Sequence, residues 1–383
     1  MPTHSSARST TRRVGIVSTY PPKLCGLATF AAALASALRS TGVTVDVVRI
    51  DDGDPQPAAT AGTVIDLVNG DQRSIDAAAA ALTECDVAVI QHEYGIYGGV
   101  DGDEVITLMS ALDVPTIVVL HTVPLSPTAH QRAVLEVIVD MADGVVVMGE
   151  AARLRLATLY ATSSATVTTI AHGATNPAPG SRPHPSARAQ LLTWGLLGPG
   201  KGIEHAIDAM EMLGRMPRRP HYTVAGVTHP KVLAWEGDHY RESLIARASL
   251  AGLVGDVTFD DTYRTVADLT HFVATADLVV LPYDSTDQVT SGVLVDAVAA
   301  GKPVIATAFP HAVEVLGSGA GVTVPQRDPA ALADAIESVL VHPERLRAMA
   351  HEARRIAPSL SWAAVAERYL ELADQLSGAR VLA

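Results

Sequence analysis

At 383 residues the chain is long for one hydrophobic core, so two domains are expected. Hydrophobic residues make up 48%, the content of a globular protein, and no stretch holds the ~18 uninterrupted apolar residues of a membrane span. A net charge of -13 argues against nucleic acid as partner, and two cysteines, Cys25 and Cys85, fit a reduced cytoplasm and neither a disulfide framework nor a zinc site.

The opening MPTHSSARSTTRR has basic residues but no apolar core behind them, so residues 1–12 read as a disordered tail and not as a secretory signal. Residues 13–18 form a first strand, 21–26 a loop and 27–40 a helix rich in Ala and Leu. The loop carries only Gly26 where a dinucleotide-binding joint would show G-x-G-x-x-G, which disfavours a dehydrogenase. Strands are expected at 43–50, 63–68, 86–91, 115–120, 144–148 and 167–171, with a polar loop at 51–61. Helices are expected between them at 74–84, 103–111, 129–142 and 150–160. This alternation implies a parallel sheet with helices on both faces, which takes ligands at the carboxyl ends of its strands. Three strands end in histidine, at His92, His121 and His172, and are expected to converge on one crevice. An isolated histidine of this kind is otherwise structural.

A Pro-rich stretch at 175–186 breaks the pattern, placing one domain at 13–177 and a second at 178–357. The alternation restarts with a strand at 190–194 and a glycine-rich turn at 195–202 containing Lys201. That turn lacks the order G-x-x-x-x-G-K-S/T, since Gly202 follows the lysine, and is either a flexible turn or a phosphate contact. Further strands are expected at 221–225, 256–259, 277–281, 304–306 and 321–324. Helices are expected at 203–213, 230–251 with a break near Gly237, 266–276, 329–341, 343–356 and 361–376.

The stretch from Leu281 to Pro310 anchors the functional reading. After the strand comes a polar loop, and Ser291-Gly292 opens a helix that Gly301 closes. A helix start leaves N–H groups unpaired and positively polarised; Ser291 can cap it and Gly292 admits a close ligand, so a phosphate fits there. Asp296 follows one turn later on the same face, where a carboxylate suits a ribose diol. The plain alternative is an ordinary strand–loop–helix joint with Ser as its cap.

Over nearly the whole length the chain resembles the family 4 glycosyltransferases, retaining enzymes of α/β GT-B fold with two Rossmann-like domains whose parallel sheets face across a cleft. The resemblance rests on Pro21-Pro22-Lys23-Leu24-Cys25-Gly26-Leu27-Ala28-Thr29-Phe30, on Gln91-His92-Glu93-Tyr94-Gly95 and on Gln288-Val289-Thr290-Ser291-Gly292, which together look like a mannosyltransferase-like subgroup. It implies that Gly26 lies in the loop over the donor phosphates and that His121 stands near the reacting centre. It implies that Lys201 neutralises the diphosphate, that the N–H groups of Gly292 and Val293 hold the distal phosphate, and that Asp296 takes the ribose. His92, Glu93 and Tyr94 would border the acceptor, and residues 358–383 would be a helix crossing back to the first domain.

Two departures stand out. Gln288 and Asp296 occupy the places of the family's paired glutamates, and Gln288 can bond a sugar hydroxyl but cannot act as base or nucleophile. Leu196 occupies the place of an arginine, leaving Arg264 as a candidate substitute. The expectation is transfer of a hexose, mannose from GDP-mannose first, to a carbohydrate or polyol hydroxyl, with Lys201, His121 and Gln288 at the reacting centre. No separate cofactor and no metal are implied, since no D-x-D dyad ends a strand. Residues 30–38 are mostly Ala and Leu with Arg39 the one cation beside them, so any peripheral membrane contact is weak. The departures leave open a nucleotide-sugar-binding protein without transfer, or an epimerase or phosphorylase on the same plan.

Overall fold

The computed structural model describes residues 11–23, 25–51, 53, 64–162, 166–175, 187–262, 264–285 and 287–382. Residues 1–10 of the expected tail, the loop at 54–61, Leu24, Thr63 and the Pro-rich residues 176–186 lie outside the described residues. Thr11, expected in the tail, is buried, and its N–H and hydroxyl both donate to Asp374 at 3.1 and 2.9 Å. The chain divides into two compact units, one running up to Gly173 and resuming at Trp362, the other Ala174–Ser361.

The first unit is built on β1 (Arg13–Ser18), β2 (Thr44–Asp51), β3 (Val64–Val68), β4 (Val87–His92), β5 (Thr116–Leu120), β6 (Gly144–Val147) and β7 (Thr166–Thr169). All pair in parallel, in the order β3-β2-β1-β4-β5-β6-β7. The central strands β4 and β5 are apolar almost throughout because helices cover both faces. On one face the helix Gly26–Ser40 packs with the helix Trp362–Leu382, whose Val365, Ala366, Tyr369 and Leu370 join the same core as Ile16, Phe30 and Val119. Each large apolar side chain buried this way contributes roughly 1.5–3 kcal/mol. Gly173 makes that approach possible: a Cβ there would fall 2.3 Å from Trp362 Cε3.

The second unit is built on β8 (Gln190–Trp194), β9 (His221–Ala225), β10 (Val257–Asp260), β11 (Leu278–Leu281), β12 (Val304–Thr307) and β13 (Gly321–Val324). Its parallel order is β10-β9-β8-β11-β12-β13, so the chain winds out from β8 on one side and returns on the other at β11. A helix at Pro310–Leu316 was not expected; it is seven residues long and ends at Gly317. Among the described residues no helix is long and apolar enough to cross a membrane.

Candidate functional site

In the second unit the carboxyl ends of β8 and β11 adjoin where the strand order reverses, the place where open parallel sheets take ligands. The turn after β8 is tied to both neighbours. Gly195 and Leu197 donate their N–H groups to Ala225 and Val227 carbonyls at 3.0 and 2.9 Å, and Asp284 donates to the Gly200 carbonyl at 2.9 Å. Gly202 has φ +63, and a Cβ there would lie 1.9 Å from the Pro282 carbonyl oxygen, so glycine alone lets the two loops touch.

This fixed turn presents Lys201. Its Nζ lies 4.5 Å from the centroid of the Tyr283 ring, and it has no carboxylate partner among the described residues. Burial lowers its pKa. Tyr283 is itself clamped, stacked on Phe309 at 5.2 Å. A half-buried cation without an anion is costly alone and favourable once a phosphate arrives.

The helix Gly292–Ala299 starts beside it. Ser291 Oγ accepts from Leu294 N–H at 3.3 Å, while the Ser291 N–H donates to Nδ1 of buried His311 at 2.9 Å. The Ser291 carbonyl takes the Val295 N–H at 3.2 Å. The N–H groups of Gly292 and Val293 therefore have no acceptor among the described residues. Val293 lies near the turn after β8, with its Cγ2 3.6 Å from where a Gly195 Cβ would be. Asp296, one turn on, has no hydrogen-bond or ionic partner among the described residues, and desolvation pushes its carboxyl up to about 7.

Two expectations change here. Gln288 donates its amide N–H to the Thr290 carbonyl at 3.0 Å, so that group braces its own loop. Arg264 is not a spare cation: its guanidinium pairs with Asp260 at the end of β10, holding that carboxyl at about 2, and lies 3.8 Å over the Phe272 ring. Sequence reasoning missed Tyr283, His311 and Arg327, whose Nε donates to Asp284 at 2.5 Å and steadies the loop after β11. The Pro-Tyr pair directly after a buried strand was the available signal for Tyr283.

The first unit places its expected residues differently. Gly26 is exposed as the first helical residue, with Cys25 Sγ capping by accepting from Ala28 N–H at 3.3 Å. A Cβ at Gly26 would meet nothing within 4 Å. His121 and His172 both stand edge-on to Phe30, each with ring centroids 5.0 Å away. His92 does not join them. Strand alternation turns it to the opposite face from Gln91, where it is fully buried against the Tyr94 ring at 5.0 Å. Neither His92 ring nitrogen has a partner among the described residues. Glu93 Oε2 accepts from the Thr122 hydroxyl at 2.5 Å, and the Tyr94 hydroxyl donates to the Gln131 carbonyl at 3.2 Å. Burial lowers all three histidines, to about 4, 3 and 4 for His92, His121 and His172, so they are neutral imidazoles.

Residues 178–356 match the family model of glycosyl transferases group 1. This part of the chain is similar to group 1 glycosyl transferase domains. It contains Lys201, the Ser291–Gly292 helix start and Asp296. The chain is 30% identical over 261 residues to a D-inositol 3-phosphate glycosyltransferase of Kineococcus radiotolerans, covering 61% of this chain and 58% of that protein. It therefore spans less than two thirds of that curated relative. Among solved structures it is similar to sucrose-phosphate synthase from Thermosynechococcus elongatus, with TM-score 0.75 and 20% identity over 96% of this chain and 100% of that one. It is also similar to Anabaena HepE in complex with UDP, with TM-score 0.73 and 18% identity over 94% and 99% of the two chains. At such identities the likeness concerns the fold: two Rossmann-like α/β units with parallel sheets, as in the GT-B glycosyltransferases.

Proposed function

We propose that the protein is a retaining hexosyltransferase that uses a nucleoside-diphosphate sugar and a hydroxyl acceptor, carbohydrate or polyol. The observation that carries this is the Lys201 ammonium at the same switch point as the N–H groups of Gly292 and Val293, all without a partner of opposite charge or an acceptor among the described residues. Both are positive, both are fixed before any ligand arrives, and together they suit a departing diphosphate. Asp296 takes the ribose hydroxyls. Charge builds on the leaving group as the sugar becomes oxocarbenium-like; the acceptor hydroxyl attacks from that same side and its proton passes to the phosphate. His121 is neutral, so it orients the sugar or steadies its positive charge through a lone pair and not as a cation.

Mannose from GDP is the donor that the sequence resemblance favours. The Anabaena relative was solved with UDP and with UDP-glucose, which makes uridine donors the competing choice. A thermal-shift panel of GDP- and UDP-sugars tests this directly, because a bound donor raises Tm by mass action. The stabilising donor is then assayed for acceptor-dependent nucleotide release, and the anomeric configuration of the product read by NMR. Release without any acceptor, or inversion at the anomeric carbon, overturns the reading. A second reading, binding without transfer, is favoured by the engaged amide of Gln288 and by Leu196; a Tm shift with no release across an acceptor panel selects it.

A further inference from the structure

We propose that Gln91 is a positioning residue: it holds the His121 imidazole as the Nε2–H tautomer and leaves Nδ1 as the acceptor presented to the substrate. This rests on the transfer reading above, which gives His121 its substrate.

Gln91 is fully buried at the end of β4, and its Oε1 lies 2.6 Å from His121 Nε2. A carboxamide oxygen only accepts, so in this bond the imidazole nitrogen carries the hydrogen. Nδ1 has no partner among the described residues, and the ring is half-buried. The pairing follows from register. β4 and β5 align Gln91 with Val119, so Gln91 and His121 project from the same face of the sheet, the face covered by Phe30.

The geometry is held from several sides. The Gln91 carbonyl accepts the Tyr97 hydroxyl at 2.7 Å, the His121 N–H donates to the His92 carbonyl at 3.1 Å, and Phe30 stands edge-on to the imidazole. The amide of Gln91 does little else, since its Nε2 is buried with no partner among the described residues. Leaving such a group unpaired is unfavourable, and a methionine of similar shape would avoid it. Filling space does not explain an amide here; directing a ring nitrogen does. The titratable groups acting on His121 are His92 on β4 and His172 after β7, both of which disfavour its protonation. The helix Gly26–Ser40 presents Phe30 to it, with Trp362 beyond.

The test uses the full chain with nitrogen-15-labelled histidine, together with Gln91→Glu and Gln91→Met. In the wild type, NMR at neutral pH is expected to show His121 as the Nε2–H tautomer. In Q91E a carboxylate replaces the amide, so the ring is expected to titrate nearer neutrality, and kcat to fall as the pH drops through that titration and recover above it. In Q91M both tautomers are expected and kcat falls roughly 10-fold at every pH, with donor KM changed less than about twofold. An Nδ1–H tautomer in the wild type, or a His121 titration unmoved in Q91E, overturns the proposal. Should Q91M fail to fold, the wild-type and Q91E spectra still decide it. Absence of acceptor-dependent nucleotide release in the wild type would instead sink the transfer reading, and the spectra separate the two failures.

Discussion

The two units share a parallel-sheet plan and carry opposite chemistry at the carboxyl ends of their central strands. In the first, three histidines are dehydrated and neutral, and the helix after β1 is capped by the Cys25 thiol. In the second, a lysine has no anion and two helix N–H groups have no acceptor among the described residues, and a carboxyl is held at about 7. Strand order alone does not decide which charge is left open at a strand end. The difference lies in the loops, which leave positive groups open in one unit and enclose neutral rings in the other.

The largest expected effect is on stability against pH, and it has opposite signs in the two units. The histidines titrate near 6.5 when unfolded and at about 3 to 4 when folded. Between those values the unfolded chain binds more protons, so acid destabilises the first unit. From about pH 7 to about pH 5 the loss is on the order of several kcal/mol, reduced for the two half-buried rings. Asp296 runs the other way: unfolded near 3.8 and folded at about 7, it gives back stability as the pH falls through 7. The second unit is expected to gain up to about 2 kcal/mol on the same step. Urea unfolding of a variant retaining Trp362 as its one tryptophan, beside one retaining only Trp194, separates the two. Parallel slopes would erase the contrast.

Lys201→Ala is expected to lower kcat/KM by ~10²-fold or more, the scale of one lost oxyanion contact, while leaving Tm unchanged or raised. The rise would come from removing a half-buried charge that has no carboxylate partner among the described residues. Unaltered turnover would take Lys201 out of the site.

Most of this plan was legible in the sequence, for physical reasons. Buried parallel strands read as short apolar runs, and Ser291-Gly292 and Gly301 mark a helix start and stop that the structure bears out. The helix Pro310–Leu316 was missed because seven residues hold too few turns for a period to show, and His311, which fixes the Ser291 N–H, was missed with it. The expected meeting of three histidines overlooked strand alternation: adjacent Gln91 and His92 must face opposite ways, which gives His121 an amide as its neighbour instead. Arg264 looked available because a sequence does not show that Asp260, four residues earlier, turns back to meet it.

Asp296→Asn sharpens the same contrast at smaller scale. Donor hydroxyls bond best to the ionised carboxylate, so nucleotide binding expels its proton, and affinity is expected to rise as the pH climbs through 7. The asparagine variant is expected to bind about 10-fold more weakly above that point and to lose the pH dependence, as read by calorimetry. Equal affinity would remove the ribose assignment.

The smallest effect compares the two helix caps. Ser291→Ala removes a hydroxyl acceptor from the Leu294 N–H and is expected to cost about 1 kcal/mol of stability. Cys25→Ala removes a sulfur acceptor from the Ala28 N–H, a weaker bond in a part-buried turn, and is expected to cost less than about half as much. The nucleotide readout carries the sharper meaning. The N–H groups of Gly292 and Val293 do not depend on the Ser291 hydroxyl, so S291A is expected to keep diphosphate affinity within about threefold of the wild type. A far larger loss would mean that the hydroxyl itself meets the phosphate, and that the cap seen without ligand gives way when one binds.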